Sequence, residues 1–160
     1  MGVALRKPVD RKPRIRLEDL PAWAGQELGV SEWLLIDQER VNRFADATGD
    51  HQWIHVDVEG ARAEIGDPIA HGYLTLSLIP LLSAGIAEFV GAARTVNYGC
   101  NRLRFTRMVR VGRRVRLRWK VVSCDRRAGG WHLITQCVIE VEGEARPACT
   151  AEMVTMLYGD

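Results

Sequence analysis

The hydrophobic pattern of the chain has a helical period in its first half. Val41, Phe44 and Ala45 share one face at helical spacing. Asp37 stands where its carboxylate can cap the N-terminus of that helix, and Gly49 stands where a left-handed residue can end it. This pattern predicts a helix between Asp37 and Gly49, with a loop immediately beyond it.

Two further helices are predicted downstream. A short one is expected around residues 58–64, and after a turn at residues 66–68 a longer one runs from about residue 72 to residue 89. The longer segment is apolar on most of its circumference, so protein must surround it on nearly every side. A sheet wrapped around this helix would provide those surroundings.

The second half alternates apolar and polar residues with a period of two, as half-buried strands do. Turns are predicted at residues 111–112, 127–130 and 142–147, which makes the strands neighbours in an antiparallel meander. Helices followed by such a meander indicate an α+β fold with one face of the sheet on the buried helix. The alternating apolar positions are Val115, Leu117, Trp119, Val121, Trp131, Leu133, Cys137, Ile139, Val141, Ala151, Met153 and Leu157.

Composition indicates one globular domain. Of the 160 residues, 47% are hydrophobic and 26% are charged, which excludes intrinsic disorder and a small disulfide-bonded scaffold. Residues 1–19 are basic, contain prolines and are predicted to form a flexible arm, and residues 20–160 are predicted to form a single domain.

Location and redox state follow from the same composition. The N-terminus has no apolar stretch that suits a signal peptide, so a cytoplasmic location is expected. The apolar segment 72–90 contains polar residues and a proline, so no membrane span is expected. The four cysteines form no C-x-x-C pair and are predicted to be reduced thiols packed in the core.

The net charge of +2 hides an uneven distribution of charge. Residues 18–93 hold 13 carboxylates and three arginines, whereas residues 94–120 hold nine arginines, one lysine and no acid. Such asymmetry points to a binding partner rather than to a fold. The few aromatic residues in the basic stretch have the spacing of strand-core positions and no nucleic-acid motif accompanies them, so nucleic acid is not an expected partner.

An aspartate and a histidine after the first helix could activate water. Asp50 and His55 are five positions apart in the predicted loop, and both can project into one cleft if the loop is extended. The carboxylate would orient or deprotonate the water, and the imidazole would exchange a proton near neutral pH. An equally open interpretation is that Asp50 caps a turn and His55 is a hydrogen-bonded buried histidine.

A metal site is the weaker alternative for the same region. His51, His55 and His71 lie near carboxylates in the sequence, but no H-E-x-x-H pattern and no cysteine pair accompanies them. No metal ion is therefore expected.

Gly72 stands at the predicted start of the longer helix. The first N–H groups of a helix have no partner within it, and a residue without a side chain lets a ligand approach them closely. Such a site can bind an anion or a developing oxyanion. A glycine in an ordinary loop explains the residue as well when it is considered alone, but the upstream Asp50 and His55 favour the functional interpretation.

Three motifs together resemble a known family. They are G-D-H-Q-W-I-H-V-D at residues 49–57, P-I-A-H-G-Y-L-T-L-S-L at residues 68–78 and V-N-Y-G-C-N-R-L-R-F at residues 96–105. The set resembles the MaoC-like dehydratases, or (R)-specific enoyl-CoA hydratases, in the branch that includes nodulation protein N. The resemblance covers about residues 20–157 and implies a hot-dog fold, a long central helix wrapped by an antiparallel sheet, usually as a homodimer with active sites at the interface.

The resemblance also implies roles for individual residues. The catalytic aspartate of the family falls on Asp50, its catalytic histidine on His55, and the glycine whose N–H polarises the thioester carbonyl on Gly72. The implied reaction is the reversible addition of water to the double bond of a trans-2-enoyl thioester such as an acyl-CoA, without a cofactor. In that reaction Asp50 and His55 hold the water, one as base and the other as proton donor to the α-carbon.

Departures from the family pattern lie beside the catalytic positions. Many members have D-x-N-P-x-H, where this chain has Gln52 and Trp53, and a serine found in some members is Pro80 here. These changes leave the aspartate and the histidine intact and bear on acyl-chain preference and rate. The expected substrate contacts within the two motifs are Gln52, Trp53, His71 and Tyr73.

The basic stretch offers contacts for the phosphates of the carrier to which the acyl group is attached. Arg102, Arg104 and Arg107 are the expected residues. Alternate charged residues also face water on any half-exposed sheet, so this interpretation stays open beside the functional one.

Two other functions compete with hydration. Hot-dog proteins include thioesterases, and a water held by Asp50 could attack a thioester carbonyl. A non-catalytic acyl-CoA or acyl-carrier binding module is the third hypothesis, although a binding module has no need of a pair of residues that activates water.

Overall fold

The computed structural model describes residues 12–159 of the chain. Within that range β1 (Arg14–Arg16) and a 3-10 helix (Leu17–Trp23) precede β2 (Glu27–Val30) and β3 (Leu34–Leu35). The helices follow: α1 (Gln38–Thr48), α2 (Trp53–Val56), α3 (Val58–Ile65), α4 (Gly72–Ser77) and α5 (Ile79–Ala84). The remaining strands are β4 (Glu88–Val90), β5 (Arg94–Phe105), β6 (Arg114–Arg127), β7 (Gly130–Val141) and β8 (Cys149–Tyr158).

Long antiparallel strands form the main sheet. Its order is β2-β6-β7-β8-β5, and β3 pairs with β6 beside β2. The apolar residues predicted to alternate lie on one face of β6, β7 and β8, because the register places Trp119 beside Cys137 and Cys137 beside Ala151. The α+β arrangement and the predicted meander of β6, β7 and β8 are therefore confirmed. The predicted turn at residues 111–112 does not join neighbouring strands, because β5 pairs with β8 and not with β6.

The core lies between this face of the sheet and the helices α4 and α5. Leu117 and Ile139 on the sheet and Leu74, Leu78 and Leu82 on the helices are buried in one hydrophobic cluster. Burial of such side chains contributes about 1.5 to 3 kcal/mol each. The sheet therefore fixes the position of α4, where Gly72 is the first residue.

Local capping places the end of α1 where the sequence predicted it. The Asp37 side chain accepts a hydrogen bond from the Arg40 N–H at 2.8 Å. Gly49 ends the helix in the left-handed region, with φ of 78°. This turn directs the chain into the segment that carries Asp50.

The predicted long helix of residues 72–89 is wrong in its length. It is divided at Leu78 into α4 and α5, and Phe89 lies in β4. Pro80 has no N–H to donate to the preceding turn, so the chain restarts a helix in which proline occupies the first turn. One side is also open, because Tyr73 is 67% and Leu81 55% exposed in the single chain. Among residues 12–159, no helix has the length and apolar character needed to cross a membrane.

The expected flexible arm needs a correction at its inner end. Residues 14–19 are folded: β1 pairs in parallel with β4, and Ile15 and Leu17 are buried in the core. These two apolar side chains supply burial that the basic composition of the segment conceals. Residues 1–11 of the predicted arm lie outside the described residues.

Candidate active site

Asp50 lies in the tight turn that follows α1. Its N–H donates to the Thr48 hydroxyl at 3.4 Å, and its carboxylate accepts from the Gln52 N–H at 3.4 Å. The side chain is exposed. Its carboxylate is therefore held at the protein surface and stays accessible to a ligand.

His55 lies on α2, a single helical turn that replaces the extended loop expected from the sequence. Its Nδ1 is 2.6 Å from the carbonyl oxygen of Ile69. Since a carbonyl only accepts, Nδ1 carries the proton and Nε2 keeps its lone pair in the neutral ring. Burial lowers the pKa of His55, and the neighbouring His71 adds to this effect, whereas the Ile69 carbonyl and the Asp50 carboxylate oppose it.

His71 is buried behind these two residues. It is 3% exposed, and its Nε2 donates to the main-chain oxygen of Asp50 at 2.9 Å. Its ring stacks on that of His55 with a centroid distance of 3.7 Å and an interplanar angle of 26°. The Phe44 ring also packs beside the His71 ring, with a centroid distance of 5.0 Å. The expected contact of His71 with substrate stays a prediction, and the contacts that the structure gives it are with Asp50, His55 and Phe44.

One potential ligand atom of each of Asp50, His55 and His71 lies within 4.8 Å of the others. Such a group can hold water and pass a proton between a carboxylate and an imidazole. A shared metal ion fits the two rings less well, because they face each other at 3.7 Å whereas zinc needs in-plane nitrogens at about 2.0 to 2.1 Å. The absence of a metal ion stays a prediction.

Gly72 lies beside this group at the start of α4. Within residues 12–159 its N–H makes no hydrogen bond. A Cβ at this position would lie 3.0 Å from the Phe105 ring, so the glycine makes room for that ring. Because α4 has six residues, any role in binding an oxyanion depends on the Gly72 N–H itself rather than on a long helix dipole.

The remaining motif residues lie at the surface around this group. Gln52 is exposed, Trp53 is 44% exposed, and Tyr73 meets the edge of the Phe105 ring at 5.8 Å. Their exposure leaves them available to a substrate or to a second protein chain.

Arginines of the basic stretch lie on the opposite face of the sheet from α4 and α5. Arg102 and Arg104 line a groove of about 700 Å³ together with Lys120. Arg107 instead forms an ion pair with Glu144 at 2.7 Å. The three arginines are thus not equivalent, and Arg102 and Arg104 are the pair that shares a surface.

The structure separates His51 from the other histidines of the motifs. His51 is exposed and lies 2.8 Å from the Asp46 carboxylate, which raises the pKa of the imidazole. Several supporting contacts had no signal in the sequence, because a main-chain carbonyl such as that of Ile69 is present at every residue. The Gln38 side chain is another example, since it donates to the His55 carbonyl oxygen at 2.7 Å.

The chain is similar to known proteins over most of its length. Residues 19–141 match the family described as MaoC like domain. The chain is 48% identical over 138 residues to 3-hydroxyacyl-thioester dehydratase Z of Mycobacterium tuberculosis, covering 85% of this chain and 91% of the relative. It is 42% identical over 150 residues to nodulation protein N of Rhizobium leguminosarum, covering 91% and 93% of the two chains.

A solved structure confirms the fold. The (R)-hydratase from A. caviae involved in PHA biosynthesis superposes with a TM-score of 0.67 at 23% identity, covering 82% of this chain and 94% of that one. The hot-dog fold that the motifs implied is therefore confirmed.

Proposed function

Because this chain belongs to the MaoC-like domain family, we propose that it catalyses the reversible addition of water to trans-2-enoyl thioesters. The observation that carries the proposal is the convergence of Asp50 and His55 within 4.8 Å, beside the unbonded N–H of Gly72. The relative named as a 3-hydroxyacyl-thioester dehydratase supports the same reaction in the reverse direction. The protein is accordingly a hydro-lyase.

The dyad of Asp50 and His55 balances the protons of this reaction. The lone pair on His55 Nε2 and the Asp50 carboxylate hold the water and remove one proton as its oxygen bonds to the β-carbon. The dyad then returns one proton to the α-carbon, which restores its starting state. Burial of His55 keeps the imidazole neutral and able to accept a proton near pH 7.

Gly72 supplies the electrophilic part of the mechanism. As water adds, negative charge develops on the thioester oxygen, and a fixed N–H donor stabilises that charge most in the transition state. The Gly72 N–H is suited to this because it has no competing acceptor within residues 12–159.

An absorbance assay tests the proposed function. Purified protein is expected to consume enoyl-CoA substrates of at least one chain length, seen as loss of the absorbance of the conjugated thioester. No hydration at any chain length would contradict the proposal. Release of free thiol would then indicate a thioesterase, and binding without turnover would indicate an acyl-thioester binding module.

An apolar cavity in the protein is suited to hold the acyl chain of this substrate. It has a volume of about 460 Å³ and lies between α4, α5 and the inner face of the sheet. Trp119, Phe89 and Met153 are among its lining residues. A hydrocarbon chain in this cavity would be buried against apolar side chains, and a chain-length series would measure its limit.

Although Arg102 and Arg104 lie on the sheet face away from α4, their charges are proposed to attract the phosphates of the carrier at long range. Because both are exposed, their attraction is screened by salt, and KM is expected to rise with ionic strength. In the double variant Arg102→Ala, Arg104→Ala this salt dependence should flatten. Arg113→Ala, an exposed arginine elsewhere, should keep it. A double variant with the wild-type salt dependence would contradict the assignment.

A homodimer is proposed to form along β5. This strand is at the edge of the sheet, and Val96 is 41% and Tyr98 72% exposed on it. An exposed apolar edge strand is a template for pairing with another chain. Tyr73 and Leu81 extend the exposed apolar surface on α4 and α5.

Light scattering after size exclusion is expected to give twice the mass of one chain for the wild type. The variant Val96→Asp, Tyr98→Asp should give the mass of one chain, because paired strands would bury its added charges. Val122→Asp is the control, since Val122 is also 40% exposed but lies on β6. A monomeric wild-type protein would exclude the dimer.

The cysteines support the expected cytoplasmic location. Cys124, Cys137 and Cys149 are buried free thiols, as predicted, whereas Cys100 is exposed. Burial raises the pKa of Cys137 to about 12 and that of Cys124 to about 11, so these thiols are protonated and unreactive. They are core residues rather than members of the site.

A further inference from the structure

His71 connects the three segments that carry the catalytic groups. Its Nε2–H donates to the main-chain oxygen of Asp50, its ring lies against the ring of His55, and the peptide bond that follows it carries the Gly72 N–H. Asp50, His55 and Gly72 come from a turn, from α2 and from α4, so their spacing depends on contacts between these elements.

The chemistry of the buried ring indicates that His71 does more than fill space. Its Nδ1 is buried and has no hydrogen-bond partner within the described residues. Leaving a buried acceptor unsatisfied costs about 1 to 3 kcal/mol, which an apolar side chain of similar size would avoid. An apolar side chain could not donate to the Asp50 carbonyl oxygen.

We propose that His71 is a positioning residue that sets the spacing between the Asp50 carboxylate, the His55 ring and the Gly72 N–H. This proposal rests on the proposed function for its effect on rate, while the contacts themselves can be tested on the protein without substrate. His71 acts through its neighbours, since its Nε2–H is bonded to the Asp50 main-chain oxygen and its ring lies against the His55 ring.

Two contributions of His71 can be separated. The Nε2–H bond fixes the turn that holds Asp50, and errors of about 1 Å in a reacting group can reduce rates by about 100-fold. The ring covers one face of His55 and excludes water from it. The charged and titratable groups that act on the His55 ring are Asp50 and His71, so removing the cover should change the pKa of His55 in a defined direction.

The hydrogen bond is tested with a matched pair of variants. His71→Leu keeps an apolar cover and loses the donor, and His71→Gln places an amide N–H near the position of Nε2. For His71→Leu we expect kcat to fall by about 10- to 100-fold with KM changed less than about threefold. For His71→Gln we expect kcat to recover to within about fivefold of the wild type. Circular dichroism and thermal melting establish that each variant is folded.

The cover is tested by NMR of the free protein labelled with ¹⁵N. Two-bond proton–nitrogen spectra should show the Nδ1–H tautomer for His55 and the Nε2–H tautomer for His71. In His71→Ala the pKa of His55 should rise toward its ordinary value of about 6.5, and in His71→Leu it should stay lowered. His51, which is exposed and paired with Asp46, serves as the internal reference.

Definite results would overturn the proposal. A His71→Leu variant with the wild-type kcat would contradict it, and so would a folded His71→Gln variant that is no more active than His71→Leu. A His55 pKa that is the same in His71→Ala and in the wild type would contradict it as well. If His71→Leu does not fold, the tautomers of the wild type and the kcat of His71→Gln decide the matter. A wild-type protein without hydratase activity but with the expected tautomers and pKa change would contradict the proposed function and leave the contacts of His71 supported.

Discussion

Replacing Asp50 by asparagine is expected to reduce kcat for enoyl-thioester hydration by about 100- to 10,000-fold, the range typical of a lost acid–base group. The asparagine side chain has the same shape and its oxygen can still accept from the Gln52 N–H, so the turn is retained. It has no negative charge with which to orient the water and cannot exchange a proton within the dyad. The substrate should still bind, because the acyl cavity and Gly72 are unchanged, and the loss should therefore lie in kcat rather than in KM.

Asp46→Asn is the matched control for this experiment. Asp46 is an exposed carboxylate on α1 that contacts His51 and lies outside the dyad. Its substitution should leave kcat unchanged within about twofold, as expected for a surface position. A folded Asp50→Asn variant that retains more than a tenth of the wild-type kcat would show that the carboxylate is not needed for proton transfer.

The variant His55→Asn is expected to have a loss of the same order. The amide nitrogen of asparagine occupies the position of Nδ1, so the bond to the Ile69 carbonyl oxygen is kept and the buried acceptor stays satisfied. What is lost is the lone pair on Nε2, which accepts the proton of the water. His55→Ala would lose the Nε2 lone pair and also the bond to the Ile69 carbonyl oxygen, so its free energy of unfolding is expected to be lower by about 1 to 3 kcal/mol.

The pH dependence of the wild type reports on the same group. Because burial lowers the pKa of His55, the imidazole stays neutral to a pH below the ordinary value of about 6.5. The acid limb of kcat/KM is therefore expected below pH 6.5. His55→Asn should lack the limb, and His51→Asn, at an exposed position, should keep it.

The free energy of unfolding should also change with pH, because the folded and the unfolded chain bind a proton at His55 at different pH values. Below pH 6.5 the unfolded chain binds a proton at His55 before the folded chain does, so the contribution of the neutral buried ring is present above pH 6.5 and decreases as the pH falls through the lowered pKa. Unfolding in denaturant at several pH values would measure this decrease. An acid limb above pH 6.5 in the wild type would contradict the assignment of His55 as the group that titrates.

Much of the fold could be predicted from local pattern. Helix α1 was predicted to within its caps because Asp37 and Gly49 act through bonds to residues within one turn. Strands β6 to β8 were predicted because alternation reports directly which face of a strand is buried. The long helix was wrong where Pro80 interrupts it, since an apolar run does not by itself show whether one helix axis is continuous.

The closeness of Asp50 and His55 could be predicted from the sequence, because it depends on short-range spacing. Asp50 and His55 are neighbours in sequence, so their convergence required only a turn and a short helix, although α2 itself was not predicted. The sequence predicted a contact with substrate for His71 and did not predict its contact with the His55 ring. Its stacking on His55 brings together residues on separate elements, and no periodicity within one segment reports such a pairing.

The sequence by itself determined the buried face of strands β6 to β8, the two caps of α1 and the motifs that hold the candidate site residues, because these depend on residue type and short-range spacing. The tertiary structure alone decided which atoms meet. The bond from His55 to the Ile69 carbonyl spans 14 positions and that from His71 to the Asp50 carbonyl spans 21. Such bonds fix the tautomer of each imidazole, and they form only when the packing of α4 against the sheet brings the two motifs together.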